Sequence, residues 1–214
     1  HTAPMEPFYR RHLPHYQPPG GTYFVTFRLS GSLPAKVLRD RACSKWRSRH
    51  QAHLDRLDSV LSPASSGPQW LQRADIAEIV QDAIMFRDGI KYDLYASSIM
   101  PTHVHIVFQL LDGSAGDIKP PARNGDGEQN RHLSYYPVTE ILGSLKKHTA
   151  LEANKILRRR GAFWKDESYD HLVRDGAELE RILWYVLFNP QKAGLVKSWK
   201  DWKWTYCKPG LLQV

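Results

Sequence analysis

Residues 99–110 read IMPTHVHIVFQL, an apolar run of the β type that carries two histidines, His103 and His105, two positions apart. Successive side chains of a strand point to opposite faces, so both imidazoles look the same way. Two neutral imidazoles side by side can chelate one divalent metal. The competing reading is that the pair decorates a half-exposed strand, and His-x-His alone does not decide between them.

Working outward, Lys91–Ile99 reads as a strand joined to Thr102–Leu110 by the turn at Met100 and Pro101. Upstream, Pro7–Gly21 is rich in Pro, Gly, Tyr, Arg and His and is expected to be an extended arm that turns into a first strand, Thr22–Leu29 (TYFVTFRL). A long helical stretch from Pro34 to about Leu61 carries Arg39, Arg41, Lys45, Arg47, Arg49 and Arg56. Asp75 can cap a helix running to Arg87, with Ile76, Ile79, Val80, Ala83 and Ile84 on its apolar side.

Downstream, Asp112–His132 has hardly any large apolar residue and reads as a flexible insertion. Val138–Arg160 places Ile141, Leu142, Leu145, Thr149, Ala153 and Ile156 at helical spacing, with His148 packed near that stripe and Gly161 closing the helix. A short strand is expected at Tyr169–Val173. Glu178–Asn189 is a last helix, stopped because the residue before Pro190 is pushed out of the α region. The aromatics Trp199, Trp202, Trp204 and Tyr206 are expected to cover the core.

The series βαββαβ folds most simply as a ferredoxin-like, α+β arrangement: a four-stranded antiparallel sheet with helices on one face. The other face would be left uncovered, and the histidine pair can sit there. RNA-recognition modules share this architecture, but their aromatic strand signature is not evident. One domain spanning 5–206 is expected, with the insertion at 112–132 and a tail at 207–214. His1–Pro4 precede Met5 and read as a cloning remnant.

The 214 residues carry a formal charge of +8, with a pI near 9.5, which favours a polyanionic partner, nucleic acid before membrane. Cys43 and Cys207 lack the spacing of a zinc site and are too few for a disulfide framework, so free thiols are expected. No run approaches the roughly 18 apolar residues of a spanning helix. No secretory signal is evident, and a cytoplasmic, nucleoid-associated protein is expected.

On the last helix, at about 100° per residue, Glu178, Tyr185 and Asn189 share one stripe beside Leu179, Ile182, Leu183 and Val186. Were that stripe to face the histidine strand, the Asn189 amide oxygen would complete a mixed N,N,O metal site with His103 and His105, and Tyr185 would set a phenol beside it. The alternatives are that Tyr185 is a half-buried core aromatic and Asn189 a polar helix cap.

At these residues the chain resembles the REP-associated tyrosine transposases, a branch of the HUH single-strand DNA transposases of small bacterial insertion sequences. The likeness rests on "MP" followed by the histidine pair with Val104 between, on "LKKHTALEANKILRRRGAFW", on "ESYDHLVRD", and most specifically on "YVLFNPQKAGLV". It runs from about Tyr9, where "YRR" and "GGTYFVTF" fit the family's opening, to about Tyr206. The Asp112–His132 insertion is longer than the family pattern.

The resemblance implies that Tyr185 attacks a phosphodiester of single-stranded DNA, giving a 5′-phosphotyrosine link and a free 3′-hydroxyl. A phenol, with its ordinary pKa near 10, needs help at neutral pH. A divalent ion on His103, His105 and Asn189 would polarise the phosphate; this donor set suits Mn²⁺ better than Mg²⁺, although cellular abundance favours Mg²⁺. The implied substrate is a REP hairpin with a short single-stranded foot, bound by a monomer or homodimer. Arg10, Arg11, Lys146, Lys147, Arg158–Arg160 and Lys165 are the candidate phosphate contacts. A catalytically silent hairpin-binding module of the same fold and a metal hydrolase using water are the two competing functions.

Overall fold

A computed structural model describes residues 8–10, 14–16, 18, 20–32, 67–111 and 137–212, with the backbone path alone at 8–10 and 14–16. The helical stretch expected at 34–61, the insertion at 112–132 and Arg11 lie outside the described residues. In the arm, β1 (Phe8–Arg10) pairs antiparallel with β2 (Pro14–Tyr16).

The main sheet is built from β3 (Thr22–Arg28), β4 (Tyr92–Ile99), β5 (His103–Leu110), β6 (Tyr169–Leu172) and β7 (Thr205–Cys207). Its order is β6-β3-β5-β4-β7, with every pairing antiparallel. Among the described residues three helices pack on it: α1 (Ala74–Met85), α2 (Val138–Ile156) and α3 (Gly176–Lys192).

The histidine strand lies at the centre of the sheet and is buried on both faces. Its Val104, Ile106 and Phe108 join Tyr23, Val25 and Phe27 of β3 in a core capped by Ile76, Val80 and Ile84 of α1 and Ile141 and Leu145 of α2. The alternate set, Phe24 and Val107 with Ala96, packs against Ile182, Leu183, Tyr185, Val186 and Leu187 of α3. Burial of each such apolar side chain stabilises the fold by about 1.5–3 kcal/mol, and covering both faces explains why HVHIVFQL is apolar almost throughout instead of alternating with charge. Polar atoms inside the larger core are paired: Tyr92 Oη donates to the Ile84 carbonyl at 2.7 Å, and Trp164 Nε1 to Thr149 Oγ1 at 2.9 Å.

The α+β antiparallel architecture is the one expected, and several details differ from the expectation. The sheet has a fifth strand, because 205–207 pairs with β4 and Trp202 Nε1 anchors the approach by donating to the Ile99 carbonyl at 3.0 Å. The expected tail is therefore part of the fold, with Cys207, Leu211 and Leu212 packed against the α3 cluster. The second face of the sheet is covered, since the apolar stripe of α3 has nowhere else to bury. That helix runs past Pro190 to Lys192: the proline falls in the last turn, and Gly194, at φ +71°, ends the helix. Gly194 N donates to the Gln191 carbonyl and Leu195 N to the Pro190 carbonyl, a Schellman pattern. Conversely, α2 stops at Ile156, short of Gly161, because Arg158 takes the left-handed conformation at φ +49°. His148 is exposed on α2 and is not packed in its apolar stripe.

Candidate active site

In the register of β3 and β5, Thr26 lies opposite His105 and Arg28 opposite His103, so these four side chains share the face that α3 covers. His103 and His105 are 2% and 0% exposed, and their Nε2 atoms lie 3.1 Å apart. The other nitrogen of each ring meets a hydroxyl: Nδ1 of His105 is 2.7 Å from Thr26 Oγ1, and Nδ1 of His103 is 2.9 Å from Thr102 Oγ1. Burial, with the Arg28 guanidinium adding to it, pushes the His103 pKa down to about 3. Burial and then His103 itself hold His105 well below the ordinary imidazole range. Both rings are neutral at neutral pH, the form that ligates a metal.

This donor set fits a divalent cation. Metal–nitrogen bonds of about 2.1 Å at neighbouring coordination positions set their nitrogens roughly 3 Å apart, which matches the 3.1 Å between the Nε2 atoms. Among the described residues no group of three or more His, Cys, Asp and Glu side chains converges, so a further donor from those residues would be a neutral oxygen.

Asn189, the oxygen donor expected from sequence, is on α3. Asp175 caps this helix by accepting from Glu178 N at 2.7 Å. Glu178, 5% exposed, accepts from Arg174 N at 2.8 Å, from the Arg174 guanidinium at 3.3 Å, and meets His171 Nε2 at 3.1 Å. Burial works to raise its pKa, but those hydrogen bonds and the neighbouring charges win and hold it below the usual carboxylate value. With its N-terminus pinned in this way, α3 carries Tyr185 to the histidines. The Tyr185 ring is 5.3 Å from that of His105 at 68°, and 5.9 Å from Phe24 in an edge-on contact. Asn189 follows one turn later, 2% exposed, and Lys192 places its Nζ 5.4 Å from the Tyr185 ring.

The fold thus brings His103, His105 and Tyr185 into one cluster, with Asn189 buried on the same helix stripe. Thr26, Thr102, Arg28 and Lys192 were missed from sequence. The signal for Lys192 is its i+7 spacing from Tyr185; for Thr26 and Arg28 it is the strand register, which a single strand does not reveal.

No family model matches the chain. A protein of Haemophilus influenzae named as a REP-associated tyrosine transposase is 28% identical over 115 residues, a match covering 53% of this chain and 58% of the relative. The match spans little more than half the length of that relative. The solved structure of a REP-associated tyrosine transposase bound to a REP hairpin superposes with a TM-score of 0.48 at 18% identity, covering 92% of this chain and 80% of that one.

The basic residues expected from the resemblance to REP-associated tyrosine transposases to touch phosphate are placed unequally. Lys147, Arg158, Arg160 and Lys165 are exposed. The Lys146 ammonium instead donates to the carbonyls of Lys165 and Asp166 at 2.6 and 2.8 Å and to Ser168 Oγ at 3.2 Å, tying the loop before β6 to α2. Arg159 lies over the Trp70 ring at 4.2 Å and donates to Asn154 Oδ1 at 2.7 Å. Arg10 lies in β1.

Proposed function

We propose that the chain is a metal-dependent tyrosine endonuclease and strand transferase acting on single-stranded DNA of REP-type hairpins. The observation that carries this reading is the Tyr185 ring 5.3 Å from that of His105, beside the buried imidazole pair. A Mg²⁺ or Mn²⁺ ion held by His103, His105 and Asn189 would polarise the scissile phosphate and stabilise charge on its non-bridging oxygens. The chain's own part is positioning. Arg28, opposite His103 in the sheet, and Lys192, with its Nζ 5.4 Å from the Tyr185 ring, put positive charge by the cluster, where a phosphodiester is drawn in.

Tyr185 gives up its proton to water, its Oη forms a bond to phosphorus, and the P–O3′ bond breaks, leaving a 3′-hydroxyl once that oxygen takes a proton. The 5′-phosphotyrosine keeps the energy of the cleaved bond, so attack by a 3′-hydroxyl reverses the step and joins strands without a nucleotide triphosphate.

The test is incubation with end-labelled hairpin DNA and Mn²⁺, followed by a denaturing gel. A slow protein-linked band is expected from the unaltered chain, and none from Tyr185→Phe or His103→Ala. Hairpin binding with no band under any divalent metal would favour a silent binding module. Cleavage that survives Tyr185→Phe would favour a water-based hydrolase.

A further inference from the structure

We propose that Thr26 and Thr102 are positioning residues whose hydroxyls decide which nitrogen of each imidazole carries its proton, and so make the pair ready for a cation. This rests on the metal reading above. A neutral imidazole has one N–H and one lone pair, and a metal takes the lone pair. For both Nε2 atoms to ligate, both Nδ1 atoms must carry the proton and donate it. The acceptors are in place, Thr26 Oγ1 at 2.7 Å from His105 Nδ1 and Thr102 Oγ1 at 2.9 Å from His103 Nδ1.

A hydroxyl differs here from the carboxylate or carbonyl that commonly backs a metal-bound histidine, because it can donate as well as accept. That matters at 3.1 Å between the Nε2 atoms. With no cation, two lone pairs facing each other at this distance repel, so one ring carries its proton on Nε2 and donates it to the other. The Nδ1 of the donating ring is then bare, and its threonine turns the O–H toward it. When a hydrated cation arrives, that ring's proton passes from Nε2 to Nδ1 through the water the cation brings, and the hydroxyl turns from donor to acceptor. Each ring holds one proton throughout, and no heavy atom has to shift. Thr26 is 5% exposed, so water is a poor substitute for its hydroxyl. Thr102 is only partly buried, and its loss should matter less.

The experiment uses the whole chain with Mn²⁺ alone for affinity, and with Zn²⁺ as a diamagnetic probe for imidazole ¹⁵N spectra. Without metal, the spectra should show one ring protonated at Nε2 and the other at Nδ1; Zn²⁺ should leave both protonated at Nδ1. Thr26→Val, which keeps shape and strand propensity, should weaken Mn²⁺ binding by about 10- to 100-fold. Thr26→Ser should restore most of it, and Thr102→Val should give the smaller loss. Unchanged Mn²⁺ affinity in a folded Thr26→Val, with binding abolished in His103→Ala, overturns the role of the threonines and leaves the metal reading standing. If Thr26→Val does not fold, the spectra of the unaltered chain decide: rings that stay in one tautomeric arrangement on adding Zn²⁺ overturn the proposal. An unaltered chain that binds no divalent metal overturns the metal reading, and this inference with it.

Discussion

At His103 the burial that suits a metal ligand also makes the fold sensitive to acid. Folded, this ring titrates at about 3, against 6.5 for a free imidazole. As pH falls below about 6.5 the unfolded chain takes up a proton that the folded chain refuses, so stability is complete above that value and is lost progressively toward 3. His105, shifted the same way, adds to the loss. Urea midpoints of the metal-free chain should therefore hold from pH 7.5 to about 6.5 and fall from there to pH 5; a flat profile throughout would mean the imidazoles are solvated. A second residue, Arg158, holds φ at +49° where α2 ends, with its N–H on the Lys155 carbonyl and Arg159 N on the Asn154 carbonyl. This is the position that glycine prefers. Arg158→Gly should stabilise the chain by about 0.5–1 kcal/mol in urea. If Arg158 touches phosphate, the same change weakens hairpin binding, so the two readouts move in opposite directions.

Among the elements, α3 has the most exacting placement, and its position depends on Glu178. The carboxylate is 5% exposed and accepts from both the backbone and the guanidinium of Arg174 while meeting His171 of β6. Glu178→Gln keeps the shape but halves the acceptor capacity and removes the charge. It should cost about 1–3 kcal/mol by urea unfolding, a range set by leaving buried donors unsatisfied. Because this helix carries Tyr185 to the histidines, adduct formation should fall under conditions where the variant is still fully folded. An unchanged adduct yield would show that the far end of the helix, at Pro190 and Gly194, fixes its position.

For the molecule as a whole, the sheet is enclosed by α1 and α2 on one side and α3 on the other, and basic residues lie along the surface. Two neighbours on α2 separate the roles of such residues. Lys147 is exposed, whereas the Lys146 ammonium holds two carbonyls of the loop before β6. Lys147→Ala should leave stability within about 0.5 kcal/mol, and should lower the salt slope of hairpin binding by about one if it meets a phosphate. Lys146→Ala should cost about 1 kcal/mol of stability through the lost hydrogen bonds. Equal stability of the two variants would count against this division.

The sequence by itself determined what local pattern can encode. The strands around His103 and His105 follow from β-type apolar runs, α1 from its 3.6-residue apolar stripe, and the Tyr185–Asn189 pair from one-turn spacing. Each depends only on neighbours within a few positions. Tertiary structure alone decided that α3 lies over the histidine face, that Thr26 and Arg28 stand opposite the two imidazoles, and that 205–207 adds a strand. It also decided that α3 continues through Pro190 while α2 stops at Ile156, two residues before the left-handed Arg158. These depend on strand register and on which apolar stripe finds a surface to cover, and both are set by contacts between segments far apart in the chain.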